Sequence, residues 1–335
     1  MRPEDILLPT PAGVYCKIGG FHIDPTRPVD KAMITHGHSD HARAGHGAVL
    51  ATQETLDLMR LRYGETFALS PQAVRYGETV TLGGARVTFY PAGHVLGSAQ
   101  IAIEANGLRI VASGDYKTVV DPTCVAFELV ACNVFITEAT FGLPVFRHGN
   151  ADAEIAKLLR SVALFPDRAH LVGAYSLGKA QRVMALIRKT GYDQPIYLHG
   201  AMEKITRYYE SRGIDLGRFE LARAANKAEL AGTITLCPPS TLGLVVPALP
   251  RSGDLLCLGM DARAGAGAPT PGRVATRDFR SRRLGRPHCD HRRYRRLGHL
   301  GHPRPGRSAR ALERDPRTAG PAAGYHRLWR RGRNR

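Results

Sequence analysis

Three imidazoles and a carboxylate fall within six positions of this chain, His36-Gly37-His38-Ser39-Asp40-His41, directly after the apolar run Ala32-Met33-Ile34. The apolar run predicts a buried strand that ends where the polar cluster begins. In an extended segment, side chains at i and i+2 point the same way, so His36 and His38 can grip one metal ion together. A turn at Ser39 then aims Asp40 and His41 at a second point nearby. Neutral imidazole and carboxylate are ordinary zinc ligands, and an open zinc site activates water. The plainer reading is a polar loop with incidental histidines, and three of them at this spacing speak against it.

Other strand ends offer the same chemistry. Short strands are expected around Ile6–Leu8, Gly13–Cys16 and Phe21–Ile23, with Asp24 directly after the last. Asp24 can orient a metal-bound histidine from behind, although an Asp-Pro turn explains it equally well. Helical spacing marks residues 53–63 through Leu56, Met59 and Tyr63. Alternating strands follow at 79–82, 87–90, 101–103 and 108–111, with Asn106-Gly107 as a hairpin turn. His94 ends one apolar stretch, Asp115 another, and Glu138 a third. Singly these are weak signals; together they place ligands along one edge of a sheet.

From residue 152 onward the pattern changes to an α/β alternation. Helices are expected over 152–164, from a start at Ser176 through Lys179, Arg182 and Ile187 to Lys189, and over 201–211, and strands over 171–175, 196–198 and 233–237. Ser176 can cap the second of these helices, and Ser176 and Lys179 at its N-terminus form a weak candidate phosphate site. An ordinary capped helix accounts for the same residues.

The net charge of +18 over 335 residues points at first to nucleic acid. Its distribution corrects that impression. Residues 261–335 hold 21 Arg, no Lys and 5 acidic residues, a net +16, which leaves +2 for the first 260. Six cysteines (Cys16, Cys124, Cys132, Cys237, Cys257, Cys289) show no pairing rhythm and read as reduced thiols. There is no apolar run long enough to span a membrane and no signal-peptide layout at the start, so a cytoplasmic location without membrane partners is expected.

Taken together, the motifs resemble a known family. His36-Gly37-His38-Ser39-Asp40-His41 resembles the HxHxDH signature of the metallo-β-lactamase fold. The stretch around Ala92-Gly93-His94, Ser113-Gly114-Asp115 and Thr137-Glu138-Ala139-Thr140 are similar to motifs of the β-CASP nucleases within that superfamily. Tyr15–Asp24, Gly173–Gln181 and Leu198–Ala201 are similar to the bacterial ligase-associated DNA exonucleases, some of which carry the name mRNA 3′-end processing factor. The resemblance covers residues 5–240. It implies an α/β fold: a metallo-β-lactamase αββα sandwich over residues 1–150 and a short β-CASP-like α/β insertion over 151–240. It further implies two zinc ions, with manganese as an alternative. His36, His38 and His94 would hold the first, Asp40 and His41 the second, and Asp115 would bridge. Asp40 and Glu138 would be catalytic, with Glu138 moving a proton or orienting a ligand. The implied activity is a DNA exonuclease in repair, partnered by an ATP-dependent DNA ligase. An RNA-processing nuclease, a non-catalytic nucleic-acid-binding protein and a small-ester hydrolase stay open beside it; the α/β segment and Glu138 count against the last.

The resemblance also implies two further histidine motifs near the C-terminus, and neither is written here. Codons exist for Asp278–Gly285 that, read one base later, spell Ile-Ser-Asp-His-Ala-Asp-Trp, and codons for Leu300–Pro305 that spell Trp-Val-Thr-His-Gly. Residues 241–335 are therefore read as an out-of-frame, disordered, Arg-rich tail, with the slip at 240–258. On this reading a second-site histidine is lost at Ser281 and another histidine at Pro303. A disordered basic arm that binds nucleic acid is the alternative.

Overall fold

The computed structural model describes residues 2–140, 146–147, 149–226, 228–241, 263–264 and 329–331. Two six-stranded sheets lie over one shared core. The first runs in chain order through β1 (Leu7–Thr10), β2 (Gly13–Cys16), β3 (Phe21–Ile23), β4 (Lys31–Met33), β5 (His46–Ala51) and β6 (Ala68–Ala73). Its first three strands are antiparallel and β3 to β6 are parallel. The second sheet contains β7 (Thr79–Leu82), β8 (Ala85–Pro91), β9 (Ala99–Ala105), β10 (Leu108–Ala112) and β11 (Val134–Ile136), with Trp329–Arg331 as its sixth strand. Here β7 to β10 form the expected antiparallel meander, and β11 pairs parallel to β10.

Period-two alternation explains the layer between the sheets. Leu7, Phe21, Met33 and Leu50 from one sheet meet Val87, Phe89, Ile101, Ile103 and Ile110 from the other. On the outer face of the first sheet, α1 (Gln53–Tyr63) lays Leu56 and Met59 against Ile34, Val49 and Phe67. Thr52 caps this helix, its hydroxyl accepting from Thr55 N at 3.3 Å.

The following α/β unit has a four-stranded parallel sheet: β12 (His170–Gly173), β13 (Ile196–Leu198), β14 (Phe219–Leu221) and β15 (Ile234–Cys237), in the order β12-β15-β13-β14. Helices α2 (Ala151–Leu164), α3 (Lys179–Lys189) and α4 (Glu203–Ser211) pack on it. Its core extends into the first layer through Leu58 of α1 and Leu96. Polar ties reinforce the junction: Leu96 N donates to the buried Tyr209 hydroxyl at 3.2 Å, and Tyr208 Oη donates to Asp57 at 2.8 Å.

Several local expectations need correction. The predicted 201–211 helix begins as a 3-10 turn at Gly200–Met202 and becomes α-helical only at Glu203. Ser176 does not cap α3. Gly178 holds the cap position, and its N–H donates to the Gln181 side chain at 2.8 Å. Three strands, β5, β6 and β14, were not expected. Cys16 and Cys237 are buried and Cys124 and Cys132 half-buried; Cys16, Cys124 and Cys132 are free thiols. No described helix is long and apolar enough to cross a membrane.

The expectations for residues 241–335 lie almost entirely outside the described residues. The exceptions are Arg263–Ala264, paired with Phe146–Arg147, and Trp329–Arg331, paired antiparallel with β11. Few contacts with the body are expected of this region, and that second pairing is one among the described residues. An open sheet edge offers backbone N–H and C=O groups to any strand, whatever its side chains.

Candidate metal centre

The histidine run is not an extended segment. After β4 the chain leaves the sheet at Ile34 and turns, with His41 N and Ala42 N both donating to His38 O, at 3.1 and 2.7 Å. The i, i+2 argument for His36 and His38 therefore does not apply, yet the loop still brings the two rings together. His94 arrives from the loop between β8 and β9, and Asp115 from the loop after β10. Gly114 allows that last approach: at φ +56°, a Cβ there would lie 2.6 Å from Thr35 Cβ.

His36, His38, His94 and Asp115 bring one ligand atom each within 4.8 Å of one another. His38 Nδ1 lies 3.0 Å from His36 Nε2 and 3.2 Å from His94 Nε2. Asp115 Oδ2 lies 3.8 Å from His36 Nε2 and 3.6 Å from His94 Nε2. Zinc–nitrogen bonds of about 2.0–2.1 Å in a tetrahedron give ligand–ligand edges of about 3.3–3.4 Å. The four measured edges bracket that figure.

The hydrogen bonds behind the rings decide which nitrogens face inward. Asp24, at the end of β3 with φ +42°, accepts from Thr35 N at 2.8 Å, from the Thr35 hydroxyl at 2.6 Å and from His41 Nδ1 at 2.8 Å. With its proton committed to Asp24, the Thr35 hydroxyl can only accept from His36 Nδ1, 3.1 Å away. His36 Nε2 is then an unprotonated lone pair. At His38, Nε2 lies 3.3 Å from the Leu177 carbonyl, which can only accept, so Nδ1 is the lone pair. Two acceptor nitrogens thus face each other at 3.0 Å. Neutral rings so placed repel, and a cation between them removes the conflict.

The electrostatics agree. Burial first, then the neighbouring rings, hold His36 well below the usual imidazole range, and burial lowers His38. Burial also depresses His94, to about 4, against the pull of Asp115. These rings are neutral and ligand-ready at pH 7. Asp115 sits at about 2: burial opposes its charge, and His41 and the other imidazoles overcome it. Its Oδ1 is buried without a hydrogen bond and lies 3.4 Å from His41 Nε2. Oδ2 of Asp115 therefore faces His36 and His94, and Oδ1 faces His41.

The second half of the expected site is looser. His41 stands apart from the four-donor group, and against the cost of burial Asp24 and Asp115 raise it well above the usual range. Asp40 is 58% exposed and reaches only 3.8 Å from His41 Nε2. Burial and the Asp115 charge raise Glu138, while Thr140 N donates to it at 2.8 Å. Ser176 is half-buried, and Lys179 lies over the Tyr175 ring at 5.1 Å. Thr35 and the Leu177 carbonyl contact the His36 and His38 rings, which residue types alone do not announce.

No family model matches the chain. The similar curated proteins include a probable DNA ligase of Opitutus terrae, 29% identical over 68% of this chain and 22% of its own length. An endoribonuclease ysh-1 of Neurospora crassa is 28% identical over 55% of this chain and 25% of its length. An RNase J-like protein of Methanocaldococcus jannaschii is 25% identical over 55% of this chain and 51% of its length. The fold is an α/β sandwich with mixed sheets, consistent with the metallo-β-lactamase/β-CASP architecture. Within that architecture the ligand loops gather at one end of the paired sheets, facing the α/β unit. The chain spans a quarter or less of the ligase and the fungal enzyme, and about half of the archaeal one.

Proposed function

We propose that this chain is a metal-dependent nuclease, hydrolysing the phosphodiester backbone of RNA. The observation that carries the metal is the pair of facing acceptor nitrogens on His36 and His38, closed by His94 and Asp115. The nucleic-acid substrate rests on the relatives, most of which are named as ribonucleases. DNA ends are the second reading, favoured by the probable DNA ligase and by the motifs similar to ligase-associated exonucleases. A ligase partner belongs to that second reading.

His36, His38 and His94 would hold one zinc, Asp40 and His41 a second, with Asp115 between them. When bound, such a pair supplies a lowered water pKa and charge stabilisation on the phosphate. Asp24 orients His41 directly and His36 through Thr35. Glu138, a partly buried carboxyl raised above its usual range, is suited to hold a proton beside Asp115.

The second site as written lacks the histidine that the frame-shifted reading places at Ser281. The polypeptide as written is therefore expected to show little or no cleavage, and a frame-restored chain to be active. The assay uses end-labelled RNA and DNA of one sequence with added zinc or manganese, and each chain with and without His38→Ala. Cleavage of RNA ahead of DNA by the restored chain, abolished by His38→Ala, supports the reading. If the zinc-loaded restored chain cleaves neither polymer, the nuclease reading fails. If the chain as written matches the restored one, the account of the second site is wrong.

A further inference from the structure

The metal loops belong to the first two sheets, yet one of the contacts that orient them comes from the α/β unit. His38 Nε2 meets the carbonyl of Leu177, 139 residues away. We infer that Gly178 is a positioning residue of the metal centre: its missing side chain lets the 176–178 turn seat the Leu177 carbonyl on His38 Nε2, which turns the Nδ1 lone pair into the donor cluster. The inference rests on the metal reading above and not on nuclease activity.

The turn is held by a closed set of contacts. Gln181 is fully buried; its Oε1 accepts from Gly178 N at 2.8 Å and its Nε2 donates to Ser176 O and Thr206 Oγ1, both at 3.0 Å. Leu177 is buried in the α/β core and also lies against Gly37, between the two histidines. Gly178 itself has φ +83°, and a Cβ there would collide with Val95 Cγ1, next to the ligand His94. A side chain at 178 therefore forces either Val95, the neighbour of His94, or the turn that carries the Leu177 carbonyl to shift. Without the carbonyl acceptor, His38 is free to carry its proton on Nδ1, where it blocks the ligand position.

Gly191 provides a matched control. It lies just beyond the other end of α3 with φ +84°, and a Cβ there would meet nothing within 4 Å. Gly191→Ala therefore places a side chain on a backbone of similar positive φ without touching the metal loops. The experiment reads the His38 tautomer in the metal-free protein by long-range proton–nitrogen NMR, assigned against His38→Ala, and zinc affinity by chelator competition. In the wild-type protein His38 should carry its proton on Nε2. Gly178→Ala should mix the tautomers and weaken zinc by about 10–100-fold. Gly191→Ala should lower the melting temperature and leave tautomer and affinity unchanged. A wild-type His38 protonated on Nδ1 overturns the inference, and this measurement decides it even if Gly178→Ala does not fold. So does a folded Gly178→Ala protein that keeps the Nε2 proton and the wild-type zinc affinity. Neither readout involves a nucleic acid, so failure here is distinct from failure of the nuclease reading.

Discussion

Asp24→Asn removes one charge and almost no volume, and it tests the hydrogen-bond relay behind the metal centre. Asparagine accepts a left-handed backbone as readily as aspartate, so the φ of +42° is preserved. The side-chain oxygen can keep the bond from Thr35 N. The amide nitrogen then faces the Thr35 hydroxyl and His41 Nδ1, two groups that need an acceptor. Two hydrogen bonds to a carboxylate are lost, each worth about 1.5–3 kcal/mol, and one amide-to-hydroxyl bond recovers about 1, for a net loss of about 2–5 kcal/mol in the metal-free protein. The consequence at the metal is sharper. Freed from Asp24, the Thr35 hydroxyl can donate to His36 Nδ1, which moves the ring proton to Nε2 and caps a ligand atom. Zinc affinity should fall by about 10–100-fold. Chelator competition measures the affinity, and thermal unfolding in the presence of chelator measures the stability. A variant that binds zinc within about threefold of wild type and melts at the same temperature would falsify the relay.

Thr35→Val breaks only the arm of the relay that leads to His36; zinc should weaken by about tenfold, less than in Asp24→Asn, in the same competition assay. Burial, followed by the charge of Asp121, pushes the Cys124 thiol up to about 12. Against a free thiol near 9 its thiolate is scarcer by on the order of 1,000-fold, so site-resolved mass spectrometry at pH 8 should find it alkylated correspondingly slowly. With the folded value above the unfolded one, Cys124 contributes stability below pH 9 that disappears as pH rises toward 12. Tyr209→Phe strands the buried Leu96 N–H and should cost about 1–3 kcal/mol, read as a drop of several degrees in the melting temperature. Unchanged melting would mean that the amide finds another partner.

The residues of the candidate centre were legible because each ends an apolar run: His94 after β8, Asp115 after β10, Glu138 after β11. The meander at 79–112 was legible from its alternation and the Asn106-Gly107 turn. The turn at Ser39 was legible as well, but the geometry at His36 and His38 was not, because the chain already bends at Gly37 and His38 where spacing suggested an extended backbone. β5 carries small residues in Gly47 and Ala48, and β6 contains Ser70, Pro71 and Gln72; both strands exist through pairing with neighbours rather than through propensity. The Leu177 contact was out of reach in principle, since a backbone carbonyl has no residue type and its partner is 139 positions away. Thr35 was visible beside the motif, but its role depends on where Asp24 sends its second oxygen.

The shared packing of Leu58 and Leu96 with α3 has a consequence for how this protein comes apart. Because both side chains complete the apolar interior of the parallel-sheet region, peeling that region away would expose them to water together with the Tyr209 contact. The loss falls on both sides of the junction at once, so neither side can melt alone without raising the free energy of the other. Heat or denaturant should therefore meet one concerted transition across the described body. If the chain is cut by design between Thr140 and Asn150, the two fragments should stay associated until the whole body opens.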